Sequence, residues 1–190
     1  QAAHQHVSRA ALKLASVAER LHIQFKDKIM LDVGSSTGGF TQFALQQGAA
    51  KVLAVEVGTN QLHHSLRQDL RIELHEKTDI RDFKTGQKIN LVVADVSFIS
   101  LRELLPSIKK LCNAQTDLVL MVKPQFEAAA DNLKHKGVIK NDKIRREILK
   151  NFETWVLQHG FYVVDKADSD VAGGKGNLER FYHLKIASIS

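Results

Sequence analysis

Leu31-Asp32-Val33-Gly34-Ser35-Ser36-Thr37-Gly38-Gly39-Phe40 reads as a buried strand that breaks into a glycine-rich turn and resumes as a helix. Glycine is required where a backbone turns tightly or comes close to a ligand. A second apolar run, Val52 to Glu56, ends in a carboxylate roughly 20 residues on, the offset at which such a group accepts hydrogen bonds from two ribose hydroxyls. The glycine spacing is G-x-x-x-G-G rather than the dinucleotide pattern G-x-G-x-x-G, and the loop offers no pair of basic residues for a pyrophosphate. An adenosine-containing cofactor without phosphates fits better, and S-adenosylmethionine is the obvious one. Gly34, Ser35, Ser36, Thr37, Gly38, Gly39 and Phe40, with Glu56 and its neighbour Val57, form the candidate cofactor site.

Strand and helix signals alternate outward from this stretch with short connections, which predicts an α/β domain with a mostly parallel sheet. Strands are expected at Ile29–Gly34, Val52–Val57, Arg71–His75, Leu91–Asp95, Leu118–Lys123, Phe161–Asp165 and Arg180–Ile186. Helical patterns fall near Gly39–Gln47, Gln61–Leu66 and Leu101–Leu111, where Pro106 threatens a kink. Ser8 is placed to cap a first helix through about Ile23, with Leu14, Val17, Ala18 and Leu21 as its apolar stripe. Pro124–Asn141 is polar and aperiodic and reads as a long loop. A helix from about Lys143 to His159 follows, and a Gly-rich loop at Gly173-Gly174-Lys175-Gly176 lies between the last two strands. No repeat or linker divides the 190 residues, so one domain is expected.

Lys and Arg total 27 against 21 Asp and Glu, a formal net charge of +6 that favours a polyanionic partner such as nucleic acid. No apolar run approaches the roughly 20 residues of a bilayer span, and the start has no signal-peptide shape, so no membrane partner is expected. The start also lacks an initiator Met, which points to an upstream segment. The single Cys112 excludes an intrachain disulfide and fits a reducing, cytoplasmic setting as a small apolar residue on a helix. The nine histidines show no metal-ligand spacing, and no metal is expected.

In open α/β sheets ligands sit beyond the carboxyl ends of the strands, where strand order reverses. The loop at Gly34, Glu56, Asp95 and Lys123 all end strands there, and Asp79, with Ile80 beside it, follows the third strand within reach of an adenine amino group. Asp95 and Lys123 make an acid–lysine pair beside the cofactor loop. A lysine serves as a base only when burial or a second cation weakens its hold on the proton, which points to another lysine nearby. Lys134, Lys136, Lys140, Lys143, Arg145, Arg146 and Lys150 crowd the long loop and the helix after it, and with Arg9 they form the candidate RNA-binding set. Phe126 is a candidate for stacking on a flipped base.

Five blocks taken together carry a resemblance: Val7-Ser8-Arg9-Ala10-Ala11-Leu12-Lys13-Leu14, Leu31–Phe40, Val57-Gly58-Thr59-Asn60-Gln61-Leu62, Asp95-Val96-Ser97-Phe98-Ile99-Ser100-Leu101 and Lys123-Pro124-Gln125-Phe126-Glu127. In this order they resemble the TlyA (hemolysin A) family of FtsJ-like RNA ribose 2′-O-methyltransferases over nearly the whole chain. The resemblance implies a Rossmann-like methyltransferase fold with a final antiparallel strand, and S-adenosylmethionine as cofactor. It further implies ribosomal RNA or a ribosomal subunit as partner, with a ribose, of a cytidine, as the methylated group. The family's Lys-Asp-Lys-Glu tetrad maps to Lys13, Asp95, Lys123 and Glu179, the last resting on the resemblance alone. Glu56 stands where the family usually has aspartate, and Ala10-Ala11 and Ala128-Ala129 stand where glycines are common. Family members usually begin with a small RNA-binding domain, which this sequence does not contain. A non-catalytic ribosome-binding module, a membrane-active haemolysin and a nicotinamide-dependent oxidoreductase are the competing readings. The tetrad, the lack of a bilayer-spanning segment and the glycine spacing oppose them in turn.

Overall fold

Residues of alternating orientation in the central strands are apolar on both sides, so the sheet must be covered by helices on both faces. The computed structural model describes residues 7–128, 131, 139, 141–171 and 177–188. Strands β1 (Ile29–Val33), β2 (Lys51–Val55), β3 (Ile72–His75), β4 (Leu91–Ala94), β5 (Asp117–Val122), β6 (Phe161–Asp168) and β7 (Arg180–Ile186) form one sheet in the order β3-β2-β1-β4-β5-β7-β6. The pairings among β1 to β5 are parallel, and β7 runs antiparallel to both β5 and β6. Helices α1 (Arg9–Ala18) and α2 (Gly39–Gln46) cover one face, packing Leu14, Val17, Phe40 and Phe43 on Met30, Val52, Val93 and Met121. The other face buries Leu31, Leu53, Val92 and Leu120 under α3 (Leu105–Lys109) and α5 (Asp142–Gln158), through Ile108, Leu149 and Phe152. Each fully buried Leu or Phe in these layers contributes about 1.5–3 kcal/mol.

The chain reverses direction across the sheet between β1 and β4. From β1 it steps outward through β2 to β3 and then returns to the opposite side of β1. The carboxyl ends of β1 and β4 therefore flank the switch point, where an open sheet leaves a crevice.

Several elements differ from the sequence expectation for local reasons. The first helix stops at Ala18 rather than near Ile23. Ile23 N–H donates to the Ala18 carbonyl and His22 N–H to that of Glu19, with His22 at φ 54°, a Schellman closure. Ser8 holds the N-cap position with extended backbone, but its side chain makes no capping bond. The pattern at Gln61–Leu66 yields only a 3-10 turn at His64–Leu66. Its Leu62 and Leu66 recur at helical spacing because both pack over Gly38, where a Cβ would lie 2.7 and 2.6 Å from their Cδ1 atoms. Pro106 lies in the first turn of α3, where its missing N–H costs nothing, and a 3-10 turn at Leu101–Glu103 precedes it. The expected loop after Pro124 opens with a short helix, α4 (Pro124–Glu127). Strand β6 runs three residues past Asp165. Cys112 follows α3, its thiol bonded to the Ile108 carbonyl and pushed up to about 12 by burial. The Gly-rich loop at Gly173–Gly176 lies outside the described residues.

Candidate active site

Strand register delivers the site residues. Val33 pairs with Ala94 across β1 and β4, so Gly34 and Asp95 emerge side by side. Asp95 N–H still donates to the Val33 carbonyl. Val122 pairs with Arg180 across the antiparallel β5 and β7. One step further along the same register sets Lys123 opposite Glu179. The reversed strand thus brings a residue that precedes it to the edge where the parallel strands end.

The tetrad forms two ion pairs. Lys13 Nζ, on the inner side of α1, lies 3.0 Å from Glu179 Oε2 and 3.4 Å from Oε1, with Glu179 almost wholly buried. Lys123 Nζ lies 2.5 Å from Asp95 Oδ1 and donates to Ser97 Oγ at 3.0 Å. Lys13 and Asp95 line one cavity of about 310 Å³, together with Arg9, Asp32, Ser35, Ser36, Thr37, Gly39 and Phe40. All four tetrad residues therefore gather at one edge, from α1, β4, β5 and β7.

The glycine loop is built by a left-handed backbone at Gly34 (φ 79°), Ser36 (φ 49°) and Gly38 (φ 99°), closed by a Gly38 N–H bond to the Ser35 carbonyl. Glu56 is buried beside it. Its Oε1 accepts from Ser36 N–H at 2.9 Å and its Oε2 from Gly58 N–H at 2.7 Å. Each oxygen keeps a lone pair for a ligand. Glu56, Val57, Asp79, Ile80, Asp95 and Phe98 are among the walls of a larger cavity of about 530 Å³. Asp79 is tied to Arg81 at 2.8 and 3.0 Å, and these bonds hold its carboxyl below the ordinary range. Gly34, Ser36 and Asp95 border both cavities.

Asp32 lies under the loop with no exposed surface. Its Oδ2 accepts from Thr41 Oγ1 at 2.7 Å, whereas its buried Oδ1 has no hydrogen-bond partner. Burial raises this carboxyl to about 7; the Thr41 bond opposes the rise, and the charges of Asp95 and Glu56 add to it. Asp32 borders the smaller cavity, so this orphaned oxygen lies just beneath its wall. An apolar cavity, a ribose-type carboxylate and an unpaired buried carboxyl fit an adenosine-bearing amino acid cofactor. Among the described residues no cluster of His, Cys, Asp or Glu is arranged to hold a metal, and no helix is long and apolar enough to cross a membrane.

The expected RNA-binding set divides. Arg9 is exposed at the start of α1 and borders the smaller cavity, and Lys143, Arg146 and Lys150 are exposed on α5. Arg145 is not on that surface. It is buried, with Nη2 2.9 Å from Asp168 Oδ1 and Nε bonded to the Leu178 carbonyl at 3.4 Å, because its helical position faces β6 and β7. Lys134, Lys136 and Lys140 lie outside the described residues, as does Ala129. Residues whose roles the sequence did not disclose also appear. Phe98 is 90% exposed at φ 66°, a strained conformation for a bulky residue, with its ring 5.1 Å from that of Phe126. Ser97 bonds Lys123, and Glu127 bonds the loop after β4. Phe98, Phe126 and Glu127 stood in recognisable blocks, but nothing local said which way their side chains turn.

Comparison with known proteins agrees with this geometry. The family model described as FtsJ-like methyltransferase matches residues 6–186. The 23S rRNA (cytidine-2′-O)-methyltransferase TlyA of Campylobacter jejuni is 46% identical over 180 residues, covering 94% of this chain and 70% of that protein. The 16S/23S rRNA (cytidine-2′-O)-methyltransferase TlyA of Mycobacterium tuberculosis is 37% identical over 182 residues, covering 94% and 68%. A solved Streptococcus thermophilus structure, provisionally named a hemolysin, superposes with a TM-score of 0.91 at 36% identity, covering 97% of this chain and 68% of that one. The chain thus spans about two thirds of the length of these relatives. It belongs to the FtsJ-like methyltransferase family, on the side of the family that holds the proteins named TlyA.

Proposed function

We propose that this chain transfers a methyl group from S-adenosylmethionine to the 2′-hydroxyl of a ribose, of a cytidine, in ribosomal RNA. The observation that carries the reading is the pair of lysine–carboxylate contacts, Lys123–Asp95 and Lys13–Glu179, set against the glycine loop at one edge of the sheet. The names of the two TlyA relatives support the ribose and the base.

When bound, S-adenosylmethionine supplies an electrophilic methyl on a sulfonium. Glu56 would hold its ribose hydroxyls, the loop at Gly34–Gly39 and Asp32 its amino acid end, and the walls at Val57, Ile80 and Phe98 its adenine. Lys123 Nζ, once it has given up its own ammonium proton, takes the proton of the 2′-hydroxyl in its neutral form, with Asp95 and Ser97 fixing the direction from which it does so. Lys13, anchored by Glu179, supplies positive charge beside the oxygen as it loses that proton. Much of the acceleration in an in-line transfer comes from holding two reactants in register, and the site residues are rigidly anchored at strand ends. Phe126 offers an aromatic face for the target base. Arg9, Lys143, Arg146 and Lys150 are placed to meet phosphates.

The test is methylation of isolated ribosomal subunits and free rRNA with labelled cofactor, followed by mapping of the modified ribose. Wild-type protein should label a cytidine ribose, and Lys123→Ala should not, while binding the cofactor with unchanged affinity in calorimetry. Full transfer by Lys123→Ala, or label on a base, would overturn the reading.

A further inference from the structure

Asp95 and Lys123 are held in contact although each begins an irregular segment. The arm after β4 runs from Asp95 through the exposed, left-handed Phe98 to Ser100, and the arm after β5 turns from Lys123 to Glu127. Backbone bonds close this second turn on Lys123 itself, since Phe126 N–H and Glu127 N–H both donate to the Lys123 carbonyl. Four to five residues beyond the reacting pair, one carboxylate joins the arms. Glu127 is 2% exposed, and its Oε1 accepts from Ser100 Oγ at 2.7 Å and from Arg102 Nε at 3.1 Å. Its Oε2 accepts from Leu101 N–H at 3.0 Å. Arg102 is in turn forked onto Asp131, Nη1 to Oδ1 at 2.9 Å and Nη2 to Oδ2 at 3.2 Å. Ser100 completes the knot by accepting from Arg102 N–H.

We infer that Glu127, locked by Arg102, is a positioning residue for methyl transfer, a clamp between the two arms that sets the distance and direction of Lys123 against Asp95. The inference rests on the reading of Lys123 as the proton acceptor. A buried carboxylate is costly unless its lone pairs are occupied, and three donors from the opposite arm occupy them here. Burial outweighs these bonds and pushes the Glu127 carboxyl up. A charge at this place is therefore costly, an expense that an apolar contact of the same shape would avoid. What the charge provides is direction: bidentate and charge-assisted bonds fix angles as well as distances. None of Ser100, Leu101, Arg102 and Glu127 lines either cavity, although the arm they end lines the larger one from Asp95 to Ile99, so cofactor affinity should change far less than rate. The clamp joins the two arms just beyond the aromatic pair Phe98 and Phe126 and beyond the ion pair. A misplacement of about 1 Å at a reacting group can cost on the order of 100-fold in rate.

The experiment compares wild type, Glu127→Gln, Arg102→Ala and their double variant in subunit methylation, at a temperature where all are folded. Ser100→Ala serves as a milder variant, and Lys123→Ala as a reference. Glu127→Gln should lower kcat on the order of 100-fold while the cofactor Kd and the KM for RNA stay within about threefold. Because the two residues act as one unit, the double variant should be no slower than either single one. Ser100→Ala, which removes one of the three bonds to Glu127 and the bond from Arg102 N–H but no charge, should lose only about tenfold. Wild-type kcat in Glu127→Gln, or a loss of rate matched by loss of cofactor affinity, overturns the clamp. An active Lys123→Ala would instead overturn the reading beneath it, and an inactive Lys123→Ala beside a full-speed Glu127→Gln would overturn the clamp alone.

Discussion

Gly34 and Asp95 lie so close on neighbouring strands that a Cβ on Gly34 would fall 2.3 Å from the Asp95 carbonyl oxygen. The same glycine sits at φ 79°, where an L side chain is strained. Two costs coincide at one position, and the atom in the way is backbone, which cannot swing aside. Gly34→Ala should destabilise the protein by roughly 3 kcal/mol and displace Asp95 from Lys123. Thermal melting and single-turnover methylation would measure both effects. A variant with wild-type melting and rate would show that the strands part easily.

Glu56 uses one oxygen for Ser36 N–H and the other for Gly58 N–H, so both oxygens are aimed before any ligand arrives. Glu56→Gln turns one acceptor into a donor facing an N–H and removes the charge. Cofactor affinity should fall about 10- to 100-fold, the range for a hydrogen bond to a charged group. Isothermal titration with S-adenosylmethionine gives the number, and an unchanged Kd would remove Glu56 from the ribose site.

Asp32 gives the folded protein a pH signature. Its carboxyl is raised from 3.8 to about 7, so between those values the native state binds this proton and the unfolded chain does not. The group's contribution to stability is therefore full below about pH 4 and is lost as pH rises through about 7. The rise corresponds to about 4 kcal/mol if undiminished by relaxation. Asp32→Asn removes that titration. Its urea midpoint relative to wild type should increase from pH 5 to about pH 7 and level off above that in the absence of cofactor. Parallel curves for the two proteins would mean that Asp32 is ionised throughout.

Arg145 and Arg146 are neighbours with opposite expected phenotypes. Arg145 shares Asp168 with Arg180, each at 2.9 Å, in a network whose carboxylate is partly open to water. Burial alone would raise Asp168, but the bonds from the two arginines keep its carboxyl low. Arg145→Ala should cost about 1–2 kcal/mol and lower the melting temperature by a few degrees. Arg146→Ala should melt as wild type but bind RNA more weakly, with the slope of log affinity against log salt reduced by about 1. Equal melting and equal RNA binding in the two variants would contradict the division.

What was legible in the sequence was whatever the chain states locally. The strand, glycine turn and carboxylate of Leu31–Glu56 marked the start of the sheet and the candidate cofactor loop, because turn chemistry and an unbroken apolar run act over a few residues. The helix expected at Gln61–Leu66 failed because Leu62 and Leu66 answer to Gly38, more than 20 residues away. Arg145 looked like its neighbours in a basic run, and only the packing of α5 on β6 and β7 decides that it turns inward. Glu179 could be singled out by resemblance alone, since its role depends on an antiparallel register that no short stretch encodes.

That register has a consequence in time. Lys13 and Glu179 are 166 residues apart, and their contact waits for β7 to slot between β5 and β6. At about 5–20 residues per second, the ribosome that makes this chain needs roughly 7–30 s to advance from the glycine loop to Glu179. For that interval the growing polypeptide holds a cofactor loop without a complete set of reacting groups. If Lys13, Asp95, Lys123 and Glu179 act together as proposed, methyl transfer can begin only once the last strand has taken its place.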